Sequence, residues 1–240
     1  MLQPTVGSDL NEYFGRPSAA TASYIKTFKL RLYNFTGSPL SDDAANVLWG
    51  LRNVSAILGA IHAGTESPDR VIPEDIHFSD RVEVLERLVL KLWYVEDPDY
   101  EQHAIFRTFG WACLIYIYTI LRELPPELGM NPMLAGRIKA ALEASPDLNV
   151  LLATFQDLLL WQMFICGRVA DSRDRPFFAS QASKILMIRK IGDEGEILIA
   201  SEGFLWPERL VGYPIRAAAV SHIAEQIKEI KQEDSDEGFG

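Results

Sequence analysis

The chain is poor in cysteine, has no concentrated positive charge, and carries none of the loops that mark common catalytic sites. Two of its 240 residues are cysteine, Cys113 and Cys166. Both lie in apolar runs and neither belongs to a Cys-x-x-Cys pair, so they read as reduced core thiols rather than as a disulfide framework or a zinc site. Lysine and arginine number 23 against 33 aspartates and glutamates, giving a formal net charge of −10 and a pI near 4.9. The longest basic cluster is Arg189-Lys190, with Ile on both sides. Proteins that hold a nucleic-acid backbone do so with clustered cations, so no direct nucleic-acid contact is expected.

Catalytic signatures are equally scarce. There is no Gly-x-Ser-x-Gly elbow, no Gly-x-Gly-x-x-Gly loop, no phosphate-binding loop and no His-Glu-x-x-His pair. Asp99 and His103 stand at i, i+4 and could share an ion, but no further ligand lies near them in sequence. His222 with Glu225 and Glu229 reads as a surface ion-pair network. The Gly192-Asp-Glu-Gly195 turn lacks the alternating oxygens of a calcium loop. No enzyme activity, cofactor or metal is therefore expected. The first fifteen residues have neither a basic start nor an apolar stretch, so no secretory signal is expected there. Residues 109–121 are uncharged but shorter than the roughly 20 needed to span a bilayer, and residues 148–167 carry Asp157 near their middle. Both read as buried helices, and no membrane partner is expected.

What is present is a helical pattern. Apolar residues make up 48% and charged residues 23%, the balance of a globular protein. The fold class is all-α: a single domain of stacked antiparallel helices over residues 16–231, with at most one short extended segment near 196–200. A tail at 1–15 precedes it and an acidic tail at 232–240 follows. Residues 18–35 form an amphipathic helix ending at the Thr36-Gly37-Ser38-Pro39 turn. Ser41 to Asp43 supply caps for a helix from Ala44 to about His62. Residues 80–94 form the next, with Glu83 and Arg87 paired on its polar side. Residues 100–124 follow, ended by Pro125-Pro126. The middle of that helix is apolar all round and belongs at the centre of the domain. Asn131-Pro132 reads as an N-cap with proline at the first helical position. Residues 148–170 read as one long apolar helix, residues 177–191 as another, and residues 215–231 as an amphipathic one.

The 148–170 helix carries the one candidate face. Asp157, Trp161, Phe164 and Arg168 follow i, i+4, i+7, i+11 spacing and form a stripe with a charge at each end and aromatics between. This stripe is either an effector or partner face or an ordinary core-to-surface stripe. The helix then stops at Gly167 and Ala170, turns through a charged stretch, and resumes at Phe177-Phe178.

Three segments carry a family resemblance. Ala112-Cys-Leu-Ile-Tyr-Ile-Tyr-Thr-Ile-Leu-Arg-Glu-Leu-Pro-Pro126 is an apolar, tyrosine-bearing helix ending in a Leu-Pro turn. Leu158-Leu-Leu-Trp-Gln-Met-Phe-Ile-Cys-Gly167 with Ala170 follows a Leu-x-Trp-x-x-Phe-x-x-Gly-x-x-Ala pattern. Arg173-Asp-Arg-Pro-Phe-Phe178 is followed later by Leu205-Trp206-Pro207-Glu208. In order and spacing, over about residues 80–210, these resemble the regulatory domain of fungal-specific transcription factors. In that family the helical region follows a binuclear zinc cluster DNA-binding module. Six cysteines in a basic module hold the two zinc ions, and this chain has two cysteines, both elsewhere. The resemblance therefore implies a regulatory role in the nucleus without DNA contact by this chain. The partners implied are proteins, a full-length transcription factor or the chain itself, or a small effector. Two alternatives stand beside it: a gene model that has lost the exon for the zinc module, and a helical small-molecule-binding protein.

Overall fold

The computed structural model describes residues 10–62, 77–93, 104–191, 196 and 204–205. Among them the protein is all-α, with no strand. Of the anticipated extended piece at 196–200 only Glu196 is described, and it is helical. Asp99, His103, the 192–195 turn, the 215–231 helix, His222 and the acidic tail lie outside the described residues.

Within the stretch read as an N-terminal tail, Leu10–Phe14 form a short helix, α1, whose Leu10 and Phe14 are buried. Helix α2 spans Ala19–Thr36. Ser18 starts it by accepting the Thr21 N–H at 3.2 Å, and Gly37, at φ 69°, ends it by donating its own N–H to Tyr33 O. Helix α3 spans Leu40–His62 and begins a turn earlier than its acidic residues suggest. Its start is fixed by Ser38, whose Oγ accepts the Leu40 N–H at 3.2 Å. Asp42 and Asp43 fall in its first turn, where carboxylates favour the positive end of the helix dipole.

Helix α4 spans Phe78–Trp93. It buries Val82, Leu85, Val89 and Leu92 on one side and pairs Glu83 with Arg87 at 2.6 Å on the other. Helix α5 spans Ala104–Tyr116, and nearly all of it is buried, as an all-round apolar helix requires. A π turn over Ile117–Leu121 continues it. That widened turn aims Tyr118 and Arg122 at the same carboxylate, Glu86 of α4. The helix is over before Pro125-Pro126 is reached.

Helix α6 spans Met130–Glu143. Asn131 does not cap it, contrary to its Asn-Pro signature. It lies inside the first turn, fully buried, and its amide reaches back to the carbonyls of Pro125 and Pro126 at 3.4 Å. Pro125 O also accepts the Leu128 N–H at 3.1 Å, so the side-chain amide adds a second tie between this loop and the start of α6.

The long 148–170 helix is in fact two: α7, Leu148–Thr154, and α8, Gln156–Val169, bent by 108° at Phe155. No glycine or proline marks the bend. Three contacts from α2 hold it. The Arg31 guanidinium donates to Thr154 O, it lies 5.3 Å from the Phe155 ring centroid, and Phe35 meets Phe155 edge-on at 5.5 Å. Helix α9, Arg175–Ile188, carries Pro176 in its first turn and packs along α8.

One continuous core joins all of these helices. Helix α5 runs through its middle, in contact with α3, α4, α6 and α8. By length and composition alone α3 and the α5–π segment could each cross a membrane, but 67% and 89% of their apolar windows are enclosed by other helices. Where α3 crosses α1 and α4, Gly50 lets the backbones close. A Cβ there would stand 3.0 Å from Leu85 Cδ1 and 3.2 Å from the Phe14 ring.

Candidate functional site

Asp157, Trp161, Phe164 and Arg168 all fall on α8, so the bend at Phe155 leaves their spacing intact. Their surroundings differ sharply. Asp157, in the first turn of α8, faces α2. Its Oδ1 and Oδ2 accept from the two terminal nitrogens of Arg31 at 3.1 and 3.3 Å, and Oδ2 also accepts from the Tyr24 hydroxyl at 3.1 Å. Burial alone would raise the Asp157 carboxyl, but the hydrogen bonds and charge of Arg31 outweigh it and hold the carboxyl below its ordinary value. Burial and the neighbouring Asp157 charge push the Tyr24 phenol up. On the other side of Tyr24, Arg52 lies 4.6 Å from the ring centroid and donates to Phe204 O at 2.6 Å. Arg52, Tyr24, Asp157 and Arg31 thus form one half-buried chain of alternating cation, ring, carboxylate and cation. It ties α2 and α3 to the start of α8.

Trp161 and Phe164 lie wholly inside. The Trp161 ring sits 5.8 Å from Tyr116 and 5.3 Å from Phe204. The Tyr116 hydroxyl in turn hydrogen-bonds Ser55 of α3 at 2.8 Å. Arg168, in the last turn, is half-buried; burial pulls its guanidinium below the ordinary range while Glu127 works against that shift. The face therefore has an anchored anion at one end, a closed aromatic middle and a partly desolvated cation at the other.

Two of the residues that organise this region, Tyr24 and Arg31, were not legible as site residues. Their only local signal is i, i+7 spacing on α2, which puts both on the same side of that helix. Arg52 gives no local signal at all. Among the described residues no group of three or more His, Cys, Asp or Glu side chains could hold a metal ion. Cys113 and Cys166 are free and buried, and burial pushes both thiols up.

The three segments of the sequence pattern come together in this core. Residues 112–126 form the end of α5 with its π turn, 158–167 form most of α8, and 173–178 make the turn into α9. A family model described as the fungal-specific transcription factor domain matches residues 53–200, more than half of the chain. The chain belongs to the fungal-specific transcription factor domain family. Searches of curated proteins and of solved structures returned no match. The matched stretch of this fungal-specific transcription factor domain begins within α3, earlier than the residue 80 at which the resemblance was read. It contains all four residues of the α8 face. Tyr24, Arg31 and Arg52 precede it, so the polar chain at Asp157 fastens the family region to the helices before it.

Proposed function

We propose that this chain modulates transcription as a regulatory domain, acting in the nucleus through protein partners or a small effector. In this reading it makes no direct contact with nucleic acid or membrane and performs no catalysis. The observation that carries it is the family match across α3 to α9. Charge supports it. The net charge is −10, and many cations are already engaged: Lys29 with Asp42, Arg87 with Glu83, Lys91 with Asp43, Arg122 with Glu86, and Lys139 with Asp174. Cations held this way leave little to displace counterions from a phosphate backbone. Of the four residues on the α8 face, Asp157 is already bonded by Arg31 and Tyr24, and in this reading Arg168 is the one left to meet a partner or effector. A molecule reaching Trp161 or Phe164 would have to enter the closed interior.

The test is localisation with proximity labelling of the full chain in a fungal host. Nuclear enrichment and labelling of transcriptional components are expected. A chain excluded from nuclei that labels none of them would overturn the reading.

A further inference from the structure

We draw no further inference here: the strongest candidate, the exposed basic and apolar patch at the end of α9 formed by Lys184, Met187, Ile188, Arg189 and Lys190, carries nothing because the acidic Asp193 and Glu194 next to it in sequence lie outside the described residues and nothing in the structure shows what covers it.

Discussion

Replacing Asp157 with asparagine should destabilise the fold by about 2 kcal/mol at neutral pH, a loss between that of an exposed pair and that of a fully buried one. The side chain keeps its shape but loses its charge. At 3.1 Å from Arg31, the gross attraction at an effective dielectric of 20 is about 5 kcal/mol, much of it offset by desolvation. The Arg31 and Asp157 side chains are 33% and 22% exposed, which places the pair in that intermediate regime. The Tyr24 hydroxyl loses its charged acceptor in the same step. The pH dependence follows from the carboxyl's depressed folded-state value. The contribution of Asp157 is complete above the unfolded-state value of about 4 and is lost as pH falls through the lower folded-state value. Urea unfolding followed by far-ultraviolet circular dichroism, at several pH values, gives both numbers. The difference between wild type and Asp157→Asn should be constant near neutrality and shrink below about pH 4. A double-mutant cycle with Arg31→Met should show coupling of about 1 kcal/mol or more. A neutral-pH difference below about 0.5 kcal/mol, the scatter expected of non-interacting surface positions, would refute the reasoning, as would a difference that does not change in acid.

Other outcomes are open to simple checks. Gly50→Ala gains helix propensity of up to about 1 kcal/mol but forces a methyl against Leu85 and Phe14, where overpacking costs about 1–3 kcal/mol. A net loss of about 1 kcal/mol, seen as a Tm lower by about 2–4 °C, is expected by calorimetry, and a raised Tm would show that the α1–α3–α4 crossing is looser than described. Cys113 and Cys166 are buried with raised thiols, so a thiol-specific reagent should modify neither in the native chain and both in urea; stoichiometric native labelling would contradict that burial. Tyr118 is pushed up to about 12, first by burial and then by Glu86. A raised folded-state value contributes stability that is whole below the unfolded value near 10 and lost as pH rises through 12. Tyr118→Phe should therefore lose less stability than wild type between those limits in an alkaline unfolding series.

The helices with local signals were legible. Ser18 and Gly37 delimit α2 because a cap and a left-handed glycine act within a turn of the helix end, and α5 declared its central position by being apolar on every side. The features that failed were those decided at long range. Nothing within a few residues of Phe155 breaks a helix; the bend depends on Arg31 and Phe35, more than a hundred residues earlier. Asn131 has the sequence of an N-cap, but the loop before it claims its amide. The α8 stripe was read from its spacing as a face with charged ends and an aromatic middle. What spacing could not show is that Trp161 meets Tyr116 and Phe204 in a closed core, or that Asp157 is already satisfied by α2.

The central claim, that this family member regulates transcription without touching DNA itself, is tested most directly by tethering. The full chain is fused to a heterologous DNA-binding module upstream of a reporter, and the unfused chain is run against duplex DNA in a mobility-shift series at rising salt. The expected result is a change in reporter output from the fusion and no shift from the unfused chain at any salt. A silent fusion, or a shift by the unfused chain that weakens with salt as phosphate contacts do, would contradict the account.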